Sequence, residues 1–503
     1  MKKEALAFVK LCERKRLMKK YYLEMAEKNL PPLIATNIKP SPKRAVLNKG
    51  DTLVIDLGNH YVGYFSFVLE KVEEYIDAPV RLVVRFCEAE RELCDDYEDY
   101  HGWLSASWLQ EEVINVDFPG RYKMPRRYAA RFIKITVKYT PKPISLSSFT
   151  FKAVTSADAS SLIPAEINDA ELSKIDTVSV NTLKNCMQRI FEDGPKRDRR
   201  LWIGDLRLEA LANYYTFKNY DLVKRCLYLF AATDRNSCGF MPGFLYEYSR
   251  FESGSWYLED YSLLYVCALC DYYAHSKDKE TFLDLFSVAK EIMDAAHSTL
   301  DEDGLMTTPA DGDAFIDWCP GLEKKTALHG VYLYTLNLWC DTLAKLDLQD
   351  ELLIYSERNR VACMNAYLKL YNPTRRAFIN PRDNSQYSVH ATAWMILGGV
   401  LDEEEGREVL LAALNDEESV KPVTPYMHHY VVEALCTLGL YDEAIAYMRR
   451  IWGGMIALGA DTFYEAYVPA DPEFSPYDDR KVNSMCHAWS CTPTYFIRKY
   501  NLG

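Results

Sequence analysis

The stretch Asp193-Gly-Pro-Lys-Arg-Asp-Arg-Arg-Leu-Trp-Ile-Gly-Asp205 decides how the chain is read. Gly194-Pro195 cannot continue a helix. Apolar residues nevertheless recur at helical spacing on both sides, from Asp169 to the end of the sequence. The stretch is therefore a polar loop set between helical runs. About twelve helices are predicted, starting near Glu171, Leu206, Asp221, Trp256, Lys279, Thr326, Glu351, Val389, Glu403, Tyr426, Asp442 and Ala488. Turn-rich segments such as Asn236-Ser-Cys-Gly239 and Asp301-Glu-Asp-Gly304 separate them. No exact repeat is visible, so a tandem superhelical array is not the first choice. Twelve helices suit six hairpins closed into a ring, an (α/α)6 barrel. A bundle or solenoid would give a similar pattern.

Upstream the period changes to two. Ile133, Ile135, Val137 and Tyr139 alternate with Lys134, Thr136 and Lys138. Val80 to Phe86 and Ile144 to Val154 also read as strands, and Gly58, Gly63, Gly120 and Pro141 punctuate them. Short strands with turn signals and no helices between them predict a β-sandwich. Glu92 to Ser107 is charged and aromatic and reads as a long loop. Residues 1–45 hold 12 Lys and Arg against 4 Glu. Leu6, Val9, Leu17, Tyr21 and Met25 lie at helical spacing, and Pro31, Pro32, Pro40 and Pro42 mark a linker. The expected division is a basic helix and linker over 1–45, a β-sandwich over 46–160 and the barrel over 161–503. The fold class is thus multidomain α and β.

Composition narrows the function. The 59 basic and 72 acidic residues leave a net charge of −13, which repels a phosphate backbone and argues against general nucleic-acid binding. No run of about 18 apolar residues predicts a membrane span. The first twenty residues are broken by charges and lack the apolar core of a signal peptide. The 14 cysteines are scattered singly through apolar stretches, and the one C-x-x-C, Cys267 and Cys270, sits in a helical run. Packed free thiols in a reducing cytoplasm are the expectation. His390, His428, His429 and His487 show no metal-site spacing. No nucleotide-binding glycine loop or serine-nucleophile motif occurs. No metal and no cofactor is called for.

Four segments concentrate polar chemistry. The opening stretch carries Asp193, Asp198 and Asp205, four basic residues and Trp202. Carboxylates accept hydroxyl protons, Arg donates, and an indole covers a C–H face, so these are the parts of a polyol site. Asp–Arg pairs that merely pin the loop would look the same. The others are Gly459-Ala-Asp-Thr-Phe-Tyr-Glu465 with Asn483-Ser-Met-Cys-His487-Ala-Trp489, Phe251-Glu-Ser-Gly-Ser-Trp256-Tyr-Leu-Glu259-Asp260-Tyr261, and Asp311-Gly-Asp-Ala-Phe-Ile-Asp317-Trp318. Each places a Trp or Tyr beside carboxylates at a loop–helix junction. Convergence of such junctions on one end of a helical barrel would make a carbohydrate cleft.

These residues resemble the bacterial α-L-rhamnosidases of glycoside hydrolase family 78. The family motif, roughly D-x-P-x-R-(D)E-x-x-x-W-x-G-D, is matched by Asp193, Pro195, Arg197, Trp202, Gly204 and Asp205. A late G-A-x-T-x-[WY]-E element matches Gly459, Ala460, Thr462, Tyr464 and Glu465, and Cys486 to Tyr495 resembles the closing family segment. The resemblance runs from about residue 50 to the end. It implies the β-sandwich and (α/α)6 barrel, without the additional modules of many members. It also implies an inverting exo-hydrolase that removes terminal α-L-rhamnose or a similar sugar from oligosaccharides or glycosides.

By the same resemblance Glu465 is the general base, and Asp193, Arg197, Trp202 and Asp205 hold the sugar. Trp256, Asp260, Asp317, Trp318 and His487 are further candidate lining residues. The sequence departs from the family where Arg197 is followed by Asp198 rather than by Glu, the family's general acid. Asp198 is one methylene shorter, and two basic neighbours favour its ionised form. Three readings stay open: Asp198 is the acid, it binds sugar while Glu259 or Asp260 is the acid, or catalysis is lost. The alternatives in function are a non-catalytic carbohydrate-binding protein and another (α/α)6 enzyme such as a lyase. The sequence leaves a homo-oligomer open.

Overall fold

A computed structural model describes residues 2–73, 77–247, 251–309, 312–382 and 384–503. The period-two pattern of the N-terminal part of the chain forms one antiparallel sheet. Its strands are β1 (Ile34–Ile38), β2 (Arg44–Leu47), β3 (Thr52–Lys71), β4 (Val80–Cys87), β5 (Glu111–Val116), β6 (Gly120–Lys123), β7 (Tyr128–Tyr139) and β8 (Ile144–Thr155). They run in the order β1-β8-β3-β7-β4-β5, with β2 also on β8 and β6 also on β3. The 20-residue β3 changes register against β7 between Asp56 and Tyr61, and against β8 between Ser66 and Val68. Such shifts bend a long strand and let one element serve three partners. Gly63 is required at the crossing, because a Cβ there would stand 2.0 Å from the Lys152 carbonyl oxygen. Alternate side chains, among them Phe65, Phe67, Phe86, Ile133, Ile135 and Phe151, fill this domain's own core.

The segment expected as a linker is instead partly sheet. Ile34–Ile38 pairs along its whole length with Phe151 to Thr155. Its side chains are mostly exposed, so no alternation of apolar and polar residues marks it in the sequence. The basic arm is helix α1 (Lys2–Lys28). Tyr22 and Ala26 bury themselves on the helical domain, and Tyr21 donates to Asp284 at 2.9 Å.

The helical domain contains α2 (Ala170–Cys186), α3 (Ile203–Tyr214), α4 (Tyr220–Ala231), α5 (Glu259–Ser276), α6 (Lys279–Ser298), α7 (Lys325–Lys345) and α8 (Gln349–Leu370). It continues with α9 (Val389–Leu397), α10 (Glu403–Asn415), α11 (Pro425–Thr437), α12 (Tyr441–Met448), α13 (Gly454–Ala457) and α14 (Pro493–Tyr500). Eleven of the predicted starts fall within a few residues of a helix. At Ala488 a single 3-10 turn, Ala488–Ser490, precedes α14.

Two kinds of helix alternate. All twelve residues of α3, all nine of α9 and nearly all of α11 are buried. In α6, α8, α10 and α12 only part of the surface is buried. A helix apolar all round must be enclosed, whereas an amphipathic one covers it from outside. Accordingly α3 packs on α5, α5 on α7, α7 on α9 and α9 on α11, with α6, α8, α10 and α12 paired to their inner neighbours.

The two domains share a buried ionic joint. Lys196 Nζ lies 2.7 Å from Glu92 Oε1 and 3.6 Å from Glu88 Oε2, and His60 Nε2 lies 3.2 Å from Glu88 Oε1. The Met485 N–H donates to Glu88 Oε2 at 2.7 Å. The opening loop and the closing segment are thereby both fixed to the sheet. No helix among the described residues is long and apolar enough to cross a membrane.

Candidate active site

The loop 193–202 folds around the carboxylate of Asp193. Its Oδ1 accepts from the Arg200 N–H at 3.0 Å and its Oδ2 from the Asp198 N–H at 3.1 Å. Gly194 permits the turn, since a Cβ there would meet the Arg197 carbonyl oxygen at 2.2 Å. This closure turns Asp198 and Trp202 toward a cavity of about 240 Å³. The cavity is bounded by that loop, the first turn of α3, the segments before α5 and α7, and the segment after α13.

Arg197 organises the cavity's ionised side. Its Nε donates to the Val482 carbonyl at 3.0 Å, its Nη2 donates to Glu465 Oε2, and its Nη1 stands 3.4 Å from Asp198 Oδ1. One guanidinium thus lies between the two carboxylates. Glu465 Oε2 also accepts from the Ser484 N–H at 3.0 Å, and Oε1 accepts from the Tyr477 hydroxyl. Burial raises the pKa of Glu465, but the Arg197 charge and the hydrogen bonds from Tyr477 and Ser484 outweigh it and hold the carboxyl below its usual range. Glu465 is an ionised acceptor.

The opposite side is held neutral. Burial first, and the Asp198 charge second, push Asp193 up to about 8. Asp205 is raised well above the carboxylate range by burial and by the neighbouring Asp193. His487 is driven down to about 4, chiefly by burial. Asp205 Oδ1, His487 Nδ1 and Trp202 Nε1 are buried and make no hydrogen bond within the described residues. Asp205 Oδ1 and His487 Nδ1 face each other at 3.6 Å; buried polar atoms ordinarily have partners, so this wall of the cavity suits a polar ligand. Around them stand Trp202, Trp256, Trp318, Phe244, Tyr261, Phe315 and Trp489. An ionised carboxylate, protonated carboxyls and aromatic faces together suit a polyhydroxylated ring.

Residues 35–155 match the N-terminal domain of the glycosyl hydrolase family 78 α-rhamnosidases, and residues 165–500 match the bacterial α-L-rhamnosidase six-hairpin glycosidase domain. The chain belongs to glycoside hydrolase family 78.

This family 78 enzyme is similar over its whole length to a rhamnosidase from Klebsiella oxytoca solved with rhamnose bound. Identity is 36%, the TM-score is 0.91, and the alignment covers 96% of this chain and 99% of that one. It shares its fold with the family 78 rhamnosidase of Bacillus sp. GL1 at 24% identity and a TM-score of 0.78, over 91% of this chain and 47% of that one. It does so too with the α-L-rhamnosidase of Streptomyces avermitilis complexed with L-rhamnose, at 15% identity and a TM-score of 0.69, over 93% of this chain and 44% of that one. No curated protein sequence matches it.

Most residues singled out in the sequence of this family 78 enzyme meet at the cavity: Asp193, Arg197, Asp198, Trp202, Asp205, Trp256, Trp318, Glu465 and His487. Asp260 and Asp317 do not, and their assignment as lining residues is corrected. Asp260 turns into the protein, where both oxygens accept from the backbone N–H groups of Phe315 and Ile316 at 2.9–3.1 Å. Asp317 accepts from His390 Nε2 at 2.8 Å, the Val423 N–H at 2.9 Å and the Thr424 hydroxyl at 2.5 Å, and so ties the segment before α7 to the start of α11. Both carboxylates shape the wall from behind. Glu259, the other fallback acid, is also outside the lining. Asp311 lies outside the described residues.

Tyr477, Trp103 and Leu104 line the cavity without having been singled out. Tyr477 comes from the Pro- and Asp-rich segment after Glu465, and the Arg197 guanidinium sits 4.3 Å from the centre of its ring. Trp103 and Leu104 come from the sheet domain, nearly a hundred residues before the motif. Pattern around a motif carries no information about them.

Proposed function

We propose that this glycoside hydrolase is an exo-acting α-L-rhamnosidase that inverts the anomeric centre, with Asp198 as general acid and Glu465 as general base. The observation that carries the assignment is Arg197, which holds Asp198 and Glu465 on different guanidinium nitrogens across one cavity. Inversion needs a proton donor at the leaving oxygen and a carboxylate on the opposite face with room for water, typically roughly 6.5–9.5 Å away. The shared guanidinium draws both carboxyls to itself and so fixes where each stands. Glu465 is ionised and buried, as a base that draws a proton from water must be. Asp198 is the less buried of the two, beside Arg197 and Arg200.

Substrate class follows from the lining. The cavity volume encloses a single pyranose, which favours attack at a chain end. A 6-deoxy sugar carries a methyl group where other hexoses carry a hydroxymethyl, and Phe315, Trp489 and Tyr261 offer an apolar surface for it. Asp205, His487 and Trp202 line the same cavity and bring polar groups to it for ring hydroxyls. The rhamnose in the Klebsiella oxytoca relative supports this choice of sugar. We further infer that the single sheet, bent at the register shifts of β3, folds over on itself as the two layers of a sandwich, and that the inner helices α3, α5, α7, α9 and α11 belong to a ring of six hairpins, with the cavity at one end. The thirteen free thiols among the described residues favour a reducing, cytoplasmic location.

The test is hydrolysis of p-nitrophenyl and of alkyl α-L-rhamnopyranosides by wild type, Asp198→Asn and Glu465→Gln. Glu465→Gln should lose at least roughly 10³-fold in kcat on both. Asp198→Asn should lose far more on the alkyl glycoside, whose leaving oxygen needs the proton. Proton NMR of the first turnover should show the β-anomer of rhamnose. An α-anomeric first product overturns inversion. Full turnover by Asp198→Asn on the alkyl glycoside overturns its role.

A further inference from the structure

We propose that Trp103, delivered by the sheet domain, is the stacking platform for the leaving group of the glycoside; this rests on the rhamnoside reading above. Trp103 lies in the long loop between β4 and β5. That loop leaves its own domain and runs along residues 473–481 of the helical domain. Arg480 Nη2 donates to Asp95 Oδ1 at 2.6 Å, Lys481 Nζ to the Asp99 carbonyl at 3.0 Å, and the His101 N–H to Asp479 Oδ2 at 3.2 Å. The Trp103 N–H donates to the Tyr477 carbonyl at 3.2 Å, and its indole N–H donates to the Pro476 carbonyl at 3.2 Å.

The side chain is therefore fixed along its polar edge. Even so, Trp103 keeps 59% of its surface exposed. A mobile apolar residue on a surface needs no explanation, but an indole pinned at backbone and ring on a cavity rim is already ordered. A ligand that stacks on it loses little side-chain entropy.

Its place in the cavity identifies that ligand. Asp193, Asp205, Glu465 and His487 are buried, Asp198 is partly exposed, and Trp103 is exposed. Exposure thus rises from the polar groups suited to the sugar, through the acid, to Trp103 on the rim. Whatever leaves with the glycosidic oxygen must lie on the solvent side of Asp198. The Trp103 ring also leans on Tyr477 at 5.6 Å between centroids, and Tyr477 in turn holds Glu465. The chemistry offered at the mouth is a flat apolar face, which takes an aryl ring or the C–H face of a second pyranose.

The experiment measures dissociation constants by calorimetry in a Glu465→Gln background, which stops turnover. The ligands are p-nitrophenyl α-L-rhamnopyranoside, an α-L-rhamnosyl-glucoside and methyl α-L-rhamnopyranoside. With Trp103 present, at least one of the first two should bind roughly 3- to 10-fold tighter than the methyl glycoside. Adding Trp103→Ala should bring that ratio to about one, and Trp103→Phe should retain much of it. Loss confined to the nitrophenyl glycoside identifies aromatic aglycones, and loss confined to the disaccharide identifies sugars. A purely structural role would weaken all three ligands together and leave the ratios unchanged, which overturns the platform while the rhamnoside reading stands. A parent that binds none of the three overturns the rhamnoside reading and the platform with it.

Discussion

At the scale of single residues, the site is a contrast between one carboxylate held ionised and several held neutral, and each hold is a testable contact. Tyr477 remains a protonated donor to Glu465, since burial pushes its own pKa well up. That hydrogen bond lowers the pKa of Glu465. Tyr477→Phe should therefore raise it. The base must be ionised to act, so the acidic limb of the kcat/KM profile should move to higher pH, and kcat at neutral pH should change less than kcat/KM at pH 5. An acidic limb that stays in place would disconnect the tyrosine from the base.

Glu209 presents the opposite case. It lies one turn beyond Asp205 in α3, fully buried, with neither carboxyl oxygen hydrogen-bonded within the described residues. Burial and the nearby Asp205 and Asp193 raise its pKa well above the usual range. The folded state keeps a proton that the unfolded chain releases above about pH 4.5, so this group costs stability increasingly as pH rises. Glu209→Gln removes the cost. The gain in urea midpoint of the Gln variant over wild type should be larger at pH 8 than at pH 5, and an equal gap at both would mean that Glu209 is not held neutral.

At the scale of elements, helix α3 and the loop before it are placed by partners from outside the helical domain. Lys196 reaches Glu88 and Glu92 at the end of β4 and in the turn that follows. All three side chains are buried. Removing one partner of a buried ion pair leaves the other uncompensated, at a cost of about 3–5 kcal/mol. Lys196→Met should lower the chemical midpoint accordingly and should also lower kcat, because the same loop carries Arg197 and Asp198. Adding Glu92→Gln should restore part of the stability. A Lys196→Met variant as stable as wild type would show that the joint adds nothing.

At the scale of the whole molecule, the domains behave as one body in the contacts they share. Thr155 donates to the Lys184 and Met187 carbonyls, Asn181 and Asn59 exchange side-chain hydrogen bonds, and Arg127 holds Glu192 with Nη2 at 2.7–2.9 Å. The β4–β5 loop completes the cavity rim. Unfolding should therefore be a single cooperative event. Seven of the nine tryptophans lie in the helical domain, so their fluorescence follows that domain while far-UV circular dichroism follows both. The two thermal curves should coincide. An early ellipticity change without a fluorescence change would mean that the sheet domain melts alone.

The sequence by itself determined the periods. Alternation from Asp51 to Thr155 and helical spacing after Asp169 come from which face of each element meets the core, and both are local. It also determined the cluster from Asp193 to Asp205, because a loop that closes on its own carboxylate is a short-range object. Glu465 and His487 were legible as members of a polar segment, but the role of Glu465 as base came only through the resemblance, since nothing local distinguishes it from a surface residue. Ile34–Ile38 was not legible as a strand, because its pairing with β8 rests on backbone hydrogen bonds rather than on a buried face. Only the tertiary structure decided that Asp260 and Asp317 turn inward to cap backbone N–H groups, as a carboxylate beside a tryptophan reads the same whichever way it points. Only it brought Trp103 and Tyr477 to the cavity, for contacts across some 370 residues leave no trace in spacing. The ionisation of the carboxyls was likewise settled in three dimensions, where burial and the reach of one guanidinium outweigh what stands beside each residue in the chain.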